Sequence, residues 1–226
     1  MPNRKMKKLK IVVAALCFVS VFSSCKIVKH SDIGGTTAVA KDGVAFGDSS
    51  FDAKQYAADI WDSKVLPLVE QKSVDLKTLF EAIASNGDAA GEKYGYRIGN
   101  EGSNYNFSGK GKVKVLSVNT ESRNGLLEVD IEPYDNKADF TLQIGPVFKG
   151  TAIRDYLDFI SINDFLNQVA YAKLGTELNM RVRDTVMNGV DFDSLKGKLI
   201  DVQVVFPLDS SAESITAVPV LFKVEG

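Results

Sequence analysis

Cys25 is the residue of this sequence whose position most clearly predicts a chemical reaction. A basic start, a largely apolar run over residues 11–22 and the small residues Ser23 and Ser24 stand directly before it. This order is typical of a lipoprotein signal peptide, in which the cysteine thiol accepts the lipid and becomes the new N-terminus. One alternative is an ordinary secretory signal, in which Cys25 has no role. A transmembrane anchor is a poorer alternative, because the apolar run has 12 residues and a helix needs roughly 20 to span a bilayer. We therefore expect a signal peptide over 1–24 and a lipid anchor on Cys25.

The remaining chain lacks the side chains on which many catalytic and metal sites depend. Cys17 is removed with the signal, Cys25 carries the lipid, and His30 is the only histidine, in a polar stretch beside the anchor. Disulfides, thiol catalysis, histidine triads and multi-histidine metal sites therefore have no raw material in the folded part. We expect no metal, no cofactor and no enzymatic activity.

The charge of the mature chain also restricts its partners. Its 22 basic and 29 acidic side chains give a formal net charge of −7, whereas non-specific binding to nucleic acid relies on a basic surface. Lys110, Lys112 and Lys114 alternate, so a strand would place all three on one face. Together with Arg123 they could form an anion strip, but a solvated strand face is the simpler interpretation. We expect no nucleic-acid partner.

The segment 143–155 combines strand breakers with a charged pair. Two glycines and a proline interrupt a strand, and Arg154-Asp155 follow before the next helix. An arginine in this place could clamp a carboxylate ligand through two hydrogen bonds. It could equally pair inside the protein with Asp155, Asp158 or Asp164, so its role is left open between ligand binding and structure.

The elements that must position these residues begin with a helical pair over 51–86. Asp52 is placed to cap the first helix, and Pro67 is expected to kink or end it near its last turn. A second helix follows Asp75. Trp61 is interpreted as a core residue rather than a surface for stacking a ligand.

Residues 87–111 are rich in glycine and tyrosine and are predicted to form one long irregular loop. Loops longer than about 15 residues are usually functional or mobile. The tyrosines of this loop, Tyr105 among them, are therefore candidates for exposed aromatic contacts.

From Lys112 onward the apolar period changes to two, which predicts strands near residues 113–118, 127–131 and 140–144. A helix is expected to begin at Ser161, and two further strands close the chain near 200–206 and 218–224. The predicted apolar face of that helix consists of Ile162, Phe165, Leu166, Val169, Ala172, Leu174, Leu178 and Val182.

The order strand, strand, strand, helix, strand, strand is that of an OB-fold, a five-stranded antiparallel barrel. An open antiparallel sandwich would give the same order. We therefore predict an α+β protein in which the helical pair packs on an OB-like barrel (β-β-β-α-β-β). The expected organisation is a signal peptide (1–24), a tether (25–50) and a single domain (51–226), the last made of the helical pair (51–86), the loop (87–111) and the barrel (112–226).

Two stretches carry a resemblance to a known family. Residues 143–155 (QIGPVFKGTAIRD) and 159–168 (FISINDFLNQ) resemble the signature of the predicted periplasmic lipoproteins, an uncharacterised bacterial family with a domain of unknown function. The resemblance extends over nearly all of the mature chain. It implies a lipid-anchored envelope protein, sometimes encoded near sugar uptake transporters, and it implies no known activity.

Three functions remain open from the sequence. The first is a non-catalytic binding or accessory module, with a transporter or envelope protein as partner and a role in small-solute uptake. The second is a hydrolase with paired carboxylates, and the third is an oligonucleotide-binding module suggested by the fold alone. The candidate residues for ligand or partner contact are Tyr105, Gln143, Arg154, Asp155, Asn167 and Gln168.

Overall fold

A computed structural model describes residues 51–99, 103–209 and 214–225. The signal peptide, Cys25, His30 and the tether lie outside the described residues. The helices α1–α6 are Ala53–Ile60, Leu66–Lys72, Leu76–Ser85, Gly87–Tyr94, Ala152–Tyr156 and Gln168–Arg181. The strands β1–β6 are Val74–Asp75, Asn106–Asn119, Leu126–Ile131, Phe140–Gln143, Leu199–Pro207 and Thr216–Val224.

The first predicted helix extends past its proline. The Asp52 side chain accepts hydrogen bonds from the amides of Lys54 and Gln55, at 2.9 and 3.1 Å, and so begins α1 as expected. A π-helical turn, Trp61–Val65, then joins α1 to α2. The turn widens the hydrogen-bond pattern just before Pro67, which has no amide hydrogen to donate. The helix therefore runs on to Lys72 instead of ending at Pro67.

The loop predicted over 87–111 is wrong at both ends. Residues 87–94 form α4, which begins where the Asn86 side chain accepts a hydrogen bond from the Ala89 amide at 3.0 Å. Strand β2 begins at Asn106, six residues before the predicted start of the barrel at Lys112. Glycine is a poor helix former, so the composition of this segment concealed a helix that its cap and its packing stabilise.

Five strands close into the predicted barrel. Each strand pairs with the next in the order β2-β3-β4-β6-β5, and β5 pairs again with β2. The pairs are antiparallel except β4–β6, which is parallel, so the barrel is not antiparallel throughout. The two-residue strand β1 adds to β2 in parallel. The α+β class and the OB-like order of elements are confirmed.

The helix predicted from Ser161 begins seven residues later. Ser161 and Asp164 form a capping box, but it closes only a short 3-10 turn, Ile162–Asp164, after which the chain becomes extended. Helix α6 starts at Gln168 and ends in a π-helical turn, Val182–Val186. The exposed members of the predicted apolar face are Ile162, Leu166, Val169 and Ala172, and the buried members are Phe165, Leu174, Leu178 and Val182.

The core fills the barrel and extends under the first helices. Trp61 is 2 % exposed and lies in this core, as predicted. Phe107 stacks on Phe206 with ring centroids 5.7 Å apart, and Phe80 from α3 contacts both Phe140 and Phe206. Aromatic side chains thus connect the helices to the barrel wall.

Candidate ligand-binding site

Gln143, the first predicted site residue, stabilises a turn. Its side chain is 4 % exposed. The amide nitrogen donates to the Lys149 carbonyl at 3.1 Å, and the amide oxygen accepts from the Lys149 amide at 2.6 Å. Both ends of the side chain are therefore used to close residues 144–149 into a compact turn after β4.

Arg154 and Asp155 form a polar cluster with Tyr171. Arg154 Nε donates to Asp155 Oδ1 at 2.8 Å, and the guanidinium carbon lies 3.8 Å from the centroid of the Tyr171 ring. Thr151 Oγ1 donates to Asp155 Oδ2 at 2.5 Å. Burial raises the pKa of the Tyr171 phenol. The arginine is thus engaged on two sides within the protein.

The other two aspartates that the sequence offered to Arg154 are used elsewhere. Asp158 pairs with Lys72 at 2.6 Å, and Asp164 accepts a hydrogen bond from the Ser161 amide at 2.8 Å. The turns between Arg154 and these two residues direct them to other elements, so Asp155 alone of the three forms the ion pair.

Asn167 and Gln168 lie at the start of α6. The Asn167 side chain caps the helix by accepting a hydrogen bond from the Ala170 amide at 2.9 Å. Both side chains are exposed, and neither lines the pockets described below.

Tyr105 packs against the protein. A Cβ atom at Gly91 of α4 would overlap the Tyr105 ring, so the missing side chain makes room for it. The guanidinium of Arg97 lies over the ring, 4.5 Å from its centroid. The Tyr105 carbonyl also accepts a hydrogen bond from the Leu208 amide at 2.8 Å. Tyr105 thus fastens α4 and the end of β5 to the start of β2.

Each of the three alternating lysines of β2 contacts a partner side chain within the protein. Lys110 pairs with Glu70 at 2.6 Å, Lys112 pairs with Glu225, and Lys114 donates to Asn136 at 3.0 Å. The Lys110 ammonium lowers the pKa of Glu70 by hydrogen bonding. Ion pairs therefore neutralise Lys110 and Lys112, whereas Lys114 keeps its charge and is hydrogen-bonded to a neutral amide.

Four segments enclose a pocket at one end of the barrel: the β2–β3 turn, the turn after β4, the end of β5 and the start of β6. This barrel-end pocket has a volume of about 370 Å³, within the roughly 300–1,000 Å³ of small-molecule sites. Its polar lining includes Asn124, Gln143, Lys149, Thr151 and Thr216. The predicted turn around Gln143 is thus one wall of a cavity, although Gln143 itself is already hydrogen-bonded.

Asn124 is the residue of this pocket that sequence reasoning missed. Its side chain is 8 % exposed, and its amide oxygen has no hydrogen-bond partner. Its backbone is fixed, since its carbonyl accepts from the Gly145 amide at 2.9 Å. The sequence signals only an Asn-Gly turn here, because the burial arises when the turn after β4 closes over it.

A second cleft lies on the other side of the same turn, against α6. It also measures about 370 Å³ and is lined by Pro146, Phe148, Asn179 and Arg183, among others. The Asn179 amide nitrogen donates to the Gly150 carbonyl at 2.9 Å, while its amide oxygen is buried without a partner. In the sequence, the only sign of this buried asparagine is that Asn179 directly follows Leu178, a member of the apolar face of α6.

A larger cavity than either of these, about 570 Å³, lies between α3, the end of β5 and the start of β6, and shares Pro207 and Thr216 with the barrel-end pocket. None of the unpartnered buried polar atoms of the described residues belongs to its lining.

Within the described ranges, no group of three or more His, Cys, Asp or Glu side chains is placed to hold a metal ion. In the same residues no helix is both long and apolar enough to cross a membrane.

The barrel is similar to that of a solved structure. A Thermotoga maritima protein, described as an OB-fold protein, superimposes with a TM-score of 0.65 at 20% sequence identity. The match covers 77% of this chain and 99% of the other, and at this identity it establishes the fold alone. Curated proteins gave no significant sequence match.

A family model assigns the chain more specifically. The model described as "Predicted periplasmic lipoprotein (DUF2291)" matches residues 14–223. This range includes Cys25 and both stretches that carry the resemblance noted from the sequence, and the description agrees with the expected signal peptide and lipid anchor. The chain therefore belongs to the family of predicted periplasmic lipoproteins.

Proposed function

We propose that this lipid-anchored envelope protein is a non-catalytic binding module that holds a small polar solute in the barrel-end pocket. OB-folds commonly bind ligands with loops at the barrel rim, and this pocket is built from such connections.

The unpartnered oxygen of Asn124 carries this proposal. A buried acceptor without a hydrogen bond costs about 1–3 kcal/mol, so native structures leave few of them. Asn124 lines the pocket, and a bound solute with a hydroxyl or amino group would satisfy its buried oxygen once a rotation of the side-chain amide turns that oxygen towards the solute. The same atom supports a ligand with hydrogen-bond donors over a purely apolar one.

Lys149 supports a second contact to the solute. It lines the pocket, and its ammonium forms no hydrogen bond or ion pair with the described residues. An ammonium donates to hydroxyl, carboxylate or phosphate oxygens. The two groups together favour a solute with several oxygen atoms and at least one donor, of which a sugar is the simplest class.

The alternative of a carboxylate-dependent hydrolase has less support. Such an enzyme needs a general acid whose pKa is raised. Lys110, Lys137 and Arg183 instead lower the pKa of Glu70, Asp135 and Asp184, respectively, through hydrogen bonds. An oligonucleotide-binding role is also less supported, because two of the three β2 lysines, Lys110 and Lys112, are ion-paired within the protein.

The binding proposal is tested with the full-length lipoprotein in detergent, by thermal shift and calorimetry against a panel of sugars and amino acids. A ligand at a hundredfold of its Kd stabilises a protein by about 2.7 kcal/mol, or roughly 5–10 °C for a chain of this size. Asn124→Ala should weaken binding of the hit at least as strongly as Lys149→Ala does. Lys196→Ala, which removes an exposed lysine outside the pocket, is the matched control and should bind like the wild type.

Two results would contradict this proposal. One is a panel that gives no stabilisation, and the other is a ligand whose affinity is the same in Asn124→Ala and the wild type. Turnover of the ligand would contradict the non-catalytic part. The link to solute uptake is tested separately by crosslinking in cells, where transporter components should be captured with the lipoprotein and not with an unrelated lipoprotein.

A further inference from the structure

The extended segment before α6 places aliphatic side chains in solvent. Ile162, Leu166 and Val169 are 39 %, 49 % and 76 % exposed, although their spacing predicts a buried helical face. Within the described residues only two other large apolar side chains, Val147 and Val224, are similarly exposed, at 38 % and 40 %. Departures from the expected pattern of burial concentrate at functional surfaces. We call these three residues the apolar tip.

The anchored end of the chain joins the domain beside this tip. Phe51, the first described residue, packs edge to face on Phe165 with ring centroids 5.6 Å apart, and Phe165 is the direct neighbour of Leu166. Residues 26–50 are the only chain between Phe51 and the lipid on Cys25, and 25 residues span at most about 90 Å. The bilayer is therefore always within about 90 Å of Phe51, and the tip lies on the side of the domain at which the tether begins.

The chemistry around the tip suits the boundary between lipid and water. Between Phe159 and Tyr171 the only charged side chain is Asp164, and its carboxylate is bonded to the Ser161 amide. The exposed polar side chains of this stretch, Asn163, Asn167 and Gln168, are neutral amides, and the exposed Lys173 follows one helical turn after Val169. Neutral amides can bond to headgroups without the cost of removing a charge from water.

We infer that the apolar tip rests in the interface of the membrane that carries the anchor, with Asn167 and Gln168 at headgroup level. Three side chains form a patch of at most a few hundred Å², far less than the roughly 800 Å² per partner of a stable dimer. A membrane contact can be this small because the lipid already holds the domain at the surface. The tip then fixes which way the domain faces.

The experiment uses full-length lipoprotein in vesicles of phosphatidylethanolamine and phosphatidylglycerol with brominated acyl chains. Val169→Trp places a reporter on the tip, and Trp61 adds the same buried background to every variant. Interfacial side chains lie roughly 5–10 Å into the headgroup and acyl boundary, where bromine quenches indole. We expect Val169→Trp to be quenched and blue-shifted. The matched control, Val224→Trp between the charged Lys223 and Glu225, should be neither.

Three outcomes would overturn the inference. Val169→Trp that is not quenched, or is quenched no more than Val224→Trp, would mean that the tip does not meet lipid. Blue-shifted emission of Val169→Trp in unlipidated protein that begins at residue 26, without vesicles or detergent, would mean that the chain itself or a second copy covers the tip, and light scattering would distinguish these two. As a measurement on the unmodified residues, amide exchange over 162–170 should be slower in the vesicle-bound lipoprotein than in unlipidated protein that begins at residue 26, and equal rates would also overturn the inference.

Discussion

Arg154 shows how a candidate ligand-binding side chain is engaged by its own neighbours. Only 11 % of its side chain is exposed, and its guanidinium lies between the Asp155 carboxylate and the Tyr171 ring. Its Nη1 also donates to the Tyr171 carbonyl at 3.3 Å, which fixes α5 to α6. The sequence left the role of Arg154 open between ligand binding and structure, and these contacts support the structural role.

Arg154→Ala is therefore expected to destabilise the protein by about 3 kcal/mol, the lower end for breaking a buried pair. Arg154→Lys should recover only part of this, because an ammonium cannot combine the flat stacking and the fork of hydrogen bonds. Arg183→Ala is the control, since Arg183 forms the same kind of pair with its neighbour Asp184 in an exposed setting and should cost less than about 1 kcal/mol. Urea melts measure all three. Equal midpoints for Arg154→Ala and the wild type would contradict the structural role.

The buried phenol of Tyr156 should make the free energy of unfolding decrease at alkaline pH. The side chain is 1 % exposed, and burial raises its pKa from 10.0 to about 12. In the unfolded chain the phenol ionises near its ordinary pKa, so its contribution is complete below pH 10 and is lost as pH rises towards 12. The loss can reach about 2–3 kcal/mol. In melts from pH 9 to 12, Tyr156→Phe should lose stability less steeply than the wild type, and equal slopes would refute this.

At the residue scale, the sequence could indicate unusual segments but not unpaired atoms. Residues 143–155 stand out because glycines and a proline interrupt a strand there. Asn124 does not stand out, because its oxygen loses its partners only when distant segments fold over it.

At the scale of elements, α4 exists because of its cap and its packing. Gly87 and Gly91 lower its helical propensity, which is why composition predicted a loop. Asn86 caps it, and the ring of Tyr105 fills the space that Gly91 leaves. Neither contact can be recognised from the spacing of residues alone.

Gly91→Ala tests this account of α4. In an isolated helix the change would stabilise by about 1 kcal/mol, but here the added methyl meets the Tyr105 ring, and overpacking costs about 1–3 kcal/mol. We expect Gly91→Ala to destabilise the wild type and to be neutral or stabilising in a Tyr105→Ala background. A double-mutant cycle in urea measures this, and the same sign in both backgrounds would contradict the proposed packing.

At the scale of the whole molecule, the order of strands could be predicted and their pairing could not. A period of two marks each strand by local alternation, so the OB-like order was evident. The parallel β4–β6 pair and the exposed tip depend on how distant segments meet. The N-terminal features were predictable because they are read from the linear sequence by export enzymes.

The lipid anchor leads to a prediction for the intact cell. Cys25→Ser removes the thiol that accepts the lipid, so metabolic labelling with a fatty-acid analogue should be lost while the protein is still made. Its signal peptide should also stay uncleaved by the lipoprotein pathway, because the modified cysteine is missing. Persistent labelling of Cys25→Ser would contradict the assignment of the anchor.

The position of β6 has a consequence for export. Among the described strands, β6, Thr216–Val224, comes after all the others in chain order, and it alone joins β4 to β5 and closes the barrel. A nascent chain that has not yet reached β6 has two open sheet edges, so the barrel cannot close during synthesis until Thr216–Val224 has left the ribosome. The precursor of this envelope protein therefore has no closed barrel to be unfolded for translocation until β6 is made.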